Sequence, residues 1–515
     1  MTETQKAQQR EELHRAIWAI ADELRGAVDG WDFKNYVLGA MFYRYISENL
    51  ADYVNDYEGG NCNYAQMSDE DALTARDSLI STKGFFIKPS ELFCNVVKRA
   101  ADDVNLNETL ERIFKNIENS SRGSNSEEDF VGLFNDFDVN NNKLGSTVKK
   151  RNERLTKLLC GIAEMDLGNV QDHNIDAFGD AYEYLMAMYA SNAGKSGGEF
   201  FTPADVSELL ARLGTVGKTQ VNKAYDPACG SGSLLLKVAK VIGKENVRGG
   251  FFGQEINVTT YNLCRINMFL HNIDFDKFDI ACADTLSDPQ HDNFEPFELI
   301  VSNPPYSIKW QGDDNPVLSN DPRFAPAGVL APKSKADLAF VMHSLSWLAP
   351  SGTAAIVCFP GIMYRGGAEA KIRKYLIDNN FIDCIIQLPA NLFFGTSIAT
   401  CIMVLKKNKQ NTNTLFIDAS KEFVKVTNNN RLTDENIAHI VDVFETREEI
   451  EHFSHLATHD EIKENEYNLS VSTYVEKPDL REKIDIDKLN AELKEIVVRE
   501  QSLREQIDDV IAKLL

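Results

Sequence analysis

Between about residue 170 and residue 405 the chain alternates short apolar segments with helical ones, and this alternation restricts its fold more than any other feature. Helical patterns at Gly232–Val241, Thr259–His271 and Ala336–Leu348 separate segments with the residue types of strands. The predicted strands are Lys223–Pro227, Phe251–Glu255, Phe278–Asp284, Phe297–Ser302, Ala354–Phe359, Cys384–Leu388 and Cys401–Leu405. This order predicts a Rossmann-like α/β fold, a parallel sheet with helices on both faces and a ligand beyond the carboxyl ends of its strands.

The regions on either side of the predicted sheet are helical in pattern. Residues 1–165 predict a helical N-terminal domain, residues 166–475 the α/β domain, and residues 476–515 a helix with a heptad seam. The seam positions are Ile486, Leu489, Leu493, Ile496, Glu500, Leu503, Ile507, Val510 and Leu514. Steps of three and four residues alternate along this seam, which favours a coiled coil with another chain over a helix packed on its own domain.

Charge and composition exclude several classes of protein. The formal net charge of −24 argues against a chain that clamps DNA by itself, so either a basic patch is hidden or a partner supplies DNA contacts. No apolar run approaches the roughly 18–20 residues that span a bilayer, so no membrane partner is expected. An odd number of cysteines, nine, without a CxxC pair indicates reduced core residues of a cytoplasmic protein.

A glycine-rich turn follows the first predicted strand, in the sequence AYDPACGSGSLLLKVA. The turn resembles a dinucleotide loop, but Leu235 replaces its third glycine and Asp226 precedes its first. A carboxylate there would repel a pyrophosphate but attract the ammonium of a methionine moiety, which favours S-adenosylmethionine as cofactor. The loop residues expected at the cofactor are Asp226, Ala228, Gly230, Ser231, Gly232 and Ser233.

Two further acids end the next two predicted strands. Glu255 can accept hydrogen bonds from ribose hydroxyls, and Asp284 can accept one from the adenine amino group of the cofactor. Each acid alone is about as consistent with a strand-end cap. Three acids at the ends of three successive strands favour a shared cofactor site.

The segment Gly197–Pro203 places two aromatic residues beside paired glycines. Glu199, Phe200, Phe201 and Thr202 are predicted to lie against the cofactor, with the aromatic rings over its adenine. A glycine-rich turn whose phenylalanines belong to the core is an equally good interpretation of these residues alone.

The sequence Asn303–Pro304–Pro305–Tyr306, directly after the fourth predicted strand, is the most specific signal in the chain. Prolines lack N–H groups, so nearby carbonyls remain available to a ligand. The Asn303 side-chain oxygen and the Pro304 carbonyl can each accept one hydrogen of a bound amino group, making its lone pair available, and Tyr306 offers a face to a base. Asn303 is expected to lie beside the cofactor as well. The long segment Ser307–Lys335 is well placed to close over an extruded base.

The ordered set GGEFFTP, DPACGSGS, GQEIN, ADTL and SNPPY resembles amino-methyltransferases. The flanking segments FKNYVLGAMFYRYIS, FNDFDVNNNKLG, RFAPAGVLAPKSKADLAF and FPGIMYRGGAE resemble the modification (M) subunit of type I restriction-modification systems over nearly the whole chain. Ser231 and Ser233 stand where that family often has threonine and glycine. Because both are small, cofactor binding is expected to survive.

The resemblance implies an adenine-N6 DNA methyltransferase whose fold is an S-adenosylmethionine-dependent methyltransferase sheet. It implies double-stranded DNA as substrate, a separate specificity (S) subunit that reads the sequence, a second M subunit in an enzyme of two M chains and one S chain, and restriction (R) subunits in the full nuclease. The tail seam would then contact the helical spacers of the S subunit. No metal site is implied, and His452, His455 and His459 are expected on a solvated helix face.

Other functions remain open from the sequence. An amino-methyltransferase of this type can act on cytosine N4, on protein glutamine or on RNA, and a non-catalytic scaffold can keep the fold. Asn303 before the prolines favours adenine over cytosine. The helical region, the long segment and the tail argue against a protein or RNA substrate.

Overall fold

A computed structural model describes residues 11–20, 30–59, 62–167, 178–179, 181, 184–185, 202–292, 295–393, 396–426, 429–477 and 486–514. The chain divides into two compact units, Met1–Val475 and Glu476–Leu515. Among the described residues, no helix combines the length and the apolar character needed to cross a bilayer.

The N-terminal region is helical. Residues 11–20 form a helix, followed by α1 (Gly30–Tyr57), α2 (Asp69–Leu73), α3 (Arg76–Lys83), α4 (Phe93–Arg99), α5 (Leu106–Ser120), α6 (Glu127–Phe130) and α7 (Val148–Glu164). In α5 the buried side chains of Leu110, Ile113, Phe114 and Ile117 recur every three or four residues, so they form one apolar stripe facing the core.

A sheet of nine strands forms the centre of the larger unit. Its strands are β1 (Ala224–Asp226), β2 (Phe251–Glu255), β3 (Phe278–Cys282), β4 (Phe297–Ser302), β5 (Leu348–Cys358), β6 (Ile382–Gln387), β7 (Cys401–Lys406), β8 (Thr414–Asp418) and β11 (Ser454–Ala457). Strands β9 (Val424–Val426) and β10 (Asn429–Arg431) form a separate antiparallel hairpin. The order across the sheet is β11-β8-β6-β7-β5-β4-β1-β2-β3.

Helices cover both faces of the sheet, because both sides of its inner strands are apolar. In β4, Leu299 and Val301 belong to the larger hydrophobic core and lie beside Gly214, whereas Phe297 and Ile300 belong to the core on the opposite face. The helices of this region are α8 (Ala204–Thr215), α9 (Ser233–Ile242), α10 (Val258–Leu270), α11 (Asp337–Trp347), α12 (Ala368–Asp378), α13 (Asp434–Thr446), α14 (His459–Glu464) and α15 (Val471–Tyr474). The predicted α/β fold class is confirmed.

The prediction of a wholly parallel sheet is wrong at β7 and β11. Strand β7 lies antiparallel between β5 and β6, and β11 lies antiparallel beside β8. Residues 388–400, which join β6 to β7, hold no helical element among those described, and parallel neighbours need a crossover, usually helical. Strands β8 and β11 were not predicted.

Helix α10 connects the N-terminal helices to the sheet. The Arg265 side chain is buried and donates to the carbonyl oxygens of Glu128 (2.7 Å) and Val131 (3.1 Å), and Asp136 accepts from Thr259 (2.9 Å) and Asn262 (3.0 Å). These bonds join residues 128–136 of the N-terminal region to the helix that follows β2, so the two regions form one packed body.

The cysteine prediction is only partly confirmed. Cys229, Cys264, Cys358, Cys384 and Cys401 are buried thiols, and all nine cysteines are free. Cys94 and Cys282 are instead exposed, because Cys94 lies on the outer side of a short helix and Cys282 ends the edge strand of the sheet.

The expectation that the histidines of the HxxHxxxH pattern share a helix face is wrong, because His452 lies in a turn, His455 in β11 and His459 at the start of α14. All three contact carboxylates. His455 lies between Glu449 (2.9 Å) and Glu461 (2.9 Å), and His459 lies 3.3 Å from Asp378. Within the described ranges no group of three or more His, Cys, Asp or Glu residues is arranged to hold a metal ion.

The smaller unit contains one long helix, α16 (Ile486–Leu514), and none of its described residues is buried. Every apolar member of the predicted seam is about half exposed or more, from Leu489 and Leu493 at 51% to Leu514 at 80%. The boundaries at residues 165 and 475 and the coiled-coil use of the seam stay predictions.

Candidate functional site

Apart from Thr202, which precedes α8, the predicted site residues that the structure describes follow four neighbouring strands. Strand β1 pairs in parallel with both β2 and β4, and β2 pairs in parallel with β3. Their carboxyl ends therefore lie along one edge of the sheet. From β1 the chain adds β2 and β3 on one side, and it then returns to place β4 and β5 on the other side of β1. The direction in which strands are added reverses between β1 and β4, which makes this position a topological switch point.

The glycine-rich loop after β1 is fixed by its backbone. The Cys229 N–H donates to the Gln254 carbonyl (3.1 Å) and the Gly230 N–H to the Glu255 carboxylate (3.1 Å). Gly232 has a φ of 79°, and a Cβ there would lie 2.7 Å from the Cys264 sulfur. Both the left-handed backbone and the close approach of α10 thus require glycine at this position.

Ser231 and Ser233 complete this loop. Ser231 is buried, and its carbonyl accepts a hydrogen bond from Asn267 Nδ2 on α10 (2.8 Å). Ser233 is half-buried and begins helix α9, and Ala228, also half-buried, packs beside the core under the loop. The loop therefore brings together the six residues predicted for it, from Asp226 to Ser233.

Asp226 is a buried carboxyl with one unused oxygen. Its Oδ1 accepts from the Ala228 N–H (3.0 Å) and from the Ser302 hydroxyl (2.9 Å), while its Oδ2 has no hydrogen-bond partner among the described residues. Burial raises the pKa of Asp226 to about 7, although the two hydrogen bonds lower it, and the nearby Glu255 carboxylate adds to the rise. A buried, unpaired carboxylate oxygen is unfavourable unless a cation or donor completes it, so this atom marks a place for a positively charged ligand group.

Glu255 and Asp284 lie at the ends of the two strands beyond β1. The Glu255 carboxylate accepts from the Gly230 N–H (3.1 Å) and the Asn257 N–H (2.8 Å), and burial raises its pKa against these bonds. Asp284 accepts from the Leu286 N–H (3.1 Å) and the Ser287 hydroxyl (2.6 Å). Both acids therefore cap their own turns, and carboxylate oxygens keep further lone pairs for ribose or adenine donors.

Asn303 sits at the carboxyl end of β4 in a network of three side chains. Its Nδ2 donates to the Thr202 hydroxyl (3.0 Å), and its Oδ1 accepts from the Tyr306 hydroxyl (2.6 Å). Because Ser302 precedes Asn303 and binds Asp226, one hydrogen bond links β4 to the residue that begins the glycine-rich loop. The structure thus brings Thr202, Asp226 and Asn303 to one edge.

The two prolines and Tyr306 separate Asn303 from Ser307, whose backbone is strained. Pro304 is buried, Pro305 is half-buried, and among the described residues none donates a hydrogen bond to the Pro304 carbonyl. Ser307 follows with a φ of 51°, and both oxygens of the buried Asp337 carboxylate accept from its N–H (3.1 Å each). Asp337, at the start of α11, therefore holds the far end of the turn.

Glu199, Phe200 and Phe201 lie outside the described residues, so their predicted contacts stay predictions. Ser302, Asp337 and Ile256 also lie at this edge of the sheet and were not predicted from the sequence. A small polar residue at the last position of a strand was the signal for Ser302. Ile256 is 67% exposed directly after Glu255, which is unusual for a large apolar side chain and suits the face of a ring bound at the strand end.

The segment after Tyr306 is packed rather than free. It contains three short 3-10 turns, Gly312–Asp314, Leu318–Asn320 and Ala325–Ala327. Trp310, Leu318 and Phe324 are buried in the core beside β5, and the Trp310 indole N–H donates to the Pro332 carbonyl (3.2 Å). A lid formed by this whole segment would expose three large apolar side chains, so any closing movement must be local.

Comparison with known proteins places this geometry in a family. A family model described as N-6 DNA Methylase matches residues 173–483, and one described as HsdM N-terminal domain matches residues 13–162. The type I restriction enzyme MpnII methylase subunit of Mycoplasma pneumoniae is 52% identical, over 99% of this chain and 97% of that protein. The MjaVII methylase subunit of Methanocaldococcus jannaschii is 31% identical, over 98% of this chain and 84% of that protein.

A solved structure agrees with these sequence matches. The type I restriction-modification system methyltransferase subunit from Streptococcus thermophilus superposes with a TM-score of 0.82 at 36% identity, covering 91% of this chain and all of that one. The predicted cofactor, S-adenosylmethionine, is confirmed by the methyltransferase family, and the orphaned Asp226 oxygen beside the glycine-rich loop fits its ammonium group. The chain belongs to the N-6 DNA methylase family, as a methylase subunit of the type I restriction enzyme class.

Proposed function

We propose that this chain transfers a methyl group from S-adenosylmethionine to N6 of an adenine that is flipped out of double-stranded DNA. The observation that carries the proposal is the link from Asp226 through Ser302 to Asn303, which joins a site for a cationic ligand to a site for an amino group. Bound at the glycine-rich loop, the cofactor supplies a methyl group already activated as a sulfonium.

The protein's own residues then bind and orient the reactants. Asp226 Oδ2 accepts from the ammonium of the cofactor, Glu255 from its ribose and Asp284 from its adenine amino group, while Phe200, Phe201 and Ile256 border its ring. Asn303 Oδ1 and the Pro304 carbonyl each accept a hydrogen bond from the target amino group, and Tyr306 lies against the base. Since these acceptors direct the nitrogen lone pair toward the methyl group, positioning and electrostatics carry the reaction without a strong general base. The nitrogen–methyl bond would form as the methyl–sulfur bond breaks, and the methylated amino group would then release its surplus proton to water.

Sequence reading is proposed to reside in a specificity subunit. A net charge of −24 is unfavourable for independent DNA binding, and the exposed seam of α16 offers a helical surface for such a partner. Two copies of this chain with one specificity subunit would form the cytoplasmic methyltransferase, and restriction subunits would complete the nuclease. Residues 1–165, 166–475 and 476–515 would be its helical, catalytic and assembly domains.

Radiolabelled S-adenosylmethionine and genomic DNA test this proposal, with the chain alone and with its neighbouring specificity subunit. We expect labelled N6-methyladenine only when the partner is present. The double variant Asn303→Ala, Tyr306→Ala should lose transfer, whereas Tyr57→Ala, at a residue 79% exposed on α1, serves as a matched control and should not.

Four outcomes would contradict parts of this proposal. Transfer that survives the double variant would exclude Asn303 and Tyr306 from the chemistry. Label in protein or RNA with none in DNA would indicate the other substrate class. Labelled N4-methylcytosine would change the target base, and activity from the lone chain would contradict the assignment of DNA reading to a partner.

A further inference from the structure

Arg323, in the middle of the segment between the catalytic turn and α11, is a buried cation with a complete set of acceptors. It is 5% exposed. Its Nε and one terminal nitrogen donate to the Asp321 carboxylate (3.0 and 2.7 Å). The remaining N–H groups donate to the carbonyls of Thr285 (2.7 Å) and Leu286 (2.8 Å) and to His343 Nδ1 (3.1 Å). All five guanidinium N–H groups are thus used, and no other side chain type presents such a planar set of donors.

The two carbonyls that Arg323 binds belong to the loop that carries Asp284. The Asp284 carboxylate accepts from the Leu286 N–H, and the Thr285 hydroxyl donates to the Pro227 carbonyl in the glycine-rich loop (2.6 Å). One guanidinium therefore fixes the backbone next to Asp284, and Thr285 transmits that constraint to the turn after β1.

His343 extends this network to β1. A guanidinium only donates, so His343 Nδ1 must accept, which leaves the proton on Nε2 to donate to the Tyr225 hydroxyl (3.0 Å). Burial, and then the charge of Arg323, lowers the pKa of His343 well below its ordinary value, consistent with this neutral form. Tyr225 directly precedes Asp226, so Arg323 also supports the strand that presents the orphaned carboxylate.

On its other side Arg323 is tied to the catalytic turn. The ring of its neighbour Phe324 packs edge-on against Trp310, with 5.4 Å between ring centroids. Trp310 lies four residues beyond Tyr306, and the Ala336 N–H donates to the Ile308 carbonyl (2.9 Å). The segment 307–336 is therefore closed at its ends near the catalytic turn and fixed at its middle to the loop of Asp284.

We propose that Arg323 is a positioning residue for the cofactor: it holds the loop Asp284–Ser287 in place from the segment that follows the catalytic turn, without touching the cofactor itself. This rests on the proposed function, in which Asp284 binds the adenine of S-adenosylmethionine. Because coupling is reciprocal, binding of S-adenosylmethionine also stabilises the segment 307–336 that borders the target base.

Two variants and one matched control test the proposal in the full chain. Arg323→Lys keeps the charge but cannot fill five acceptors, and Asp321→Asn weakens only the carboxylate part of the network. Arg44→Lys is the control, because the Arg44 side chain is also largely buried, donating to Glu48 (2.6 Å) and to the carbonyls of Ile162 (2.6 Å) and Met165 (2.9 Å), all in the N-terminal helical region.

Calorimetric titration with S-adenosylmethionine measures the effect directly. We expect the Kd to rise about fivefold or more in Arg323→Lys, within the usual range of coupling between sites, to rise less in Asp321→Asn, and to stay unchanged in Arg44→Lys. Amide hydrogen exchange without cofactor should speed up at Leu286–Asp288 in Arg323→Lys and Asp321→Asn alone. In the active complex, the KM for cofactor should rise more than kcat falls, which a general loss of packing would not produce.

The possible outcomes separate the positioning role of Arg323 from the proposed function of the chain. If the wild-type chain binds S-adenosylmethionine and both network variants bind it equally well with unchanged exchange, Arg323 has no positioning role and the proposed function stands. Equal weakening in Arg44→Lys would also overturn the role, because the effect would reflect stability alone. Should Arg323→Lys fail to fold, the positioning role is decided by comparing the Kd for S-adenosylmethionine of Asp321→Asn with that of Arg44→Lys. A wild-type chain that binds no cofactor would overturn both proposals.

Discussion

The Tyr306 hydroxyl donates to Asn303 Oδ1 at 2.6 Å, so the acceptor proposed for the target amino group already has a donor before any base arrives. An amide oxygen has two lone pairs, so it can accept from the target amino group while it still accepts from the Tyr306 hydroxyl. The bond orients the Asn303 amide toward Thr202 on one side and Tyr306 on the other. The aromatic ring and the hydroxyl of Tyr306 therefore have separable roles.

Tyr306→Phe and Tyr306→Ala should separate these roles. Removing the hydroxyl costs one hydrogen bond of about 1 kcal/mol, so Tyr306→Phe should keep kcat within about tenfold of wild type. Removing the ring should lower kcat/KM for DNA by roughly tenfold to hundredfold, as expected for lost stacking on a base. Methyl transfer with the specificity subunit measures both. Equal losses in the two variants would assign the role to the hydroxyl instead.

The raised pKa of Asp226 predicts that cofactor binding depends on pH. In the unliganded chain this pKa is about 7, and an ammonium group favours the ionised carboxylate, so binding must remove a proton below that pH. The Kd for S-adenosylmethionine should therefore fall by up to about tenfold per unit between pH 6 and 7 and level off above it. Titration calorimetry in buffers of different ionisation enthalpy would also detect the released proton. A Kd independent of pH below 7 contradicts this account.

Asp226→Asn provides the control and a second, opposite expectation. The variant should bind S-adenosylmethionine weakly and with little pH dependence over that interval. In the wild type, a folded pKa above the unfolded value near 3.9 means that this group lowers the free energy of unfolding as pH rises from about 4 to 7. The variant does not lose stability in this way, so the difference between its Tm and the wild-type Tm should shift in favour of the variant between pH 5 and pH 8. A constant Tm difference would contradict the raised pKa.

The sequence predicted the parts of this molecule whose chemistry is local. Strands β2 and β4 were predicted at their observed bounds, because apolar runs between turn residues define them. The turn residues Asp226, Gly232 and Asn303 were identified because each lies at or just beyond the end of a strand. At β7 the prediction failed because strand direction depends on how residues 388–400 return the chain, which an apolar pattern does not encode.

The polar residues that hold the site from a distance could not be predicted. Arg323 and Asp337 stand in a segment of low periodicity, where exposed charge is the ordinary expectation. Their partners, Thr285 and Ser307, lie 38 and 30 residues away in the chain. Only the folded structure shows that these charges are buried and paired with backbone groups.

Two glycines with similar backbone conformations test the close packing of the cofactor loop. Gly232 has a φ of 79° and would place a Cβ 2.7 Å from the Cys264 sulfur, whereas Gly217 has a φ of 72° with no atom within 4 Å of its Cβ position. Gly217→Ala should cost only the backbone strain, about 1 kcal/mol. Gly232→Ala should cost about 1–3 kcal/mol more through overpacking and should weaken S-adenosylmethionine binding. Denaturant unfolding and titration calorimetry measure these effects, and equal stability losses would contradict the steric argument.

The seam of α16 predicts that assembly depends on one face of the helix. Ile496 lies on the seam at 62% exposure, and Val498, at 69% exposure, lies two residues further on, outside it. Because a charge on a coiled-coil seam is buried when the partner docks, Ile496→Glu should abolish co-purification with the specificity subunit, and Val498→Glu should retain it. Both variants should bind S-adenosylmethionine with the wild-type Kd, since α16 belongs to the smaller compact unit and the loop residues belong to the larger. Equal co-purification of the two variants would show that the seam is not the contact surface and would leave the partner's docking site to the larger unit.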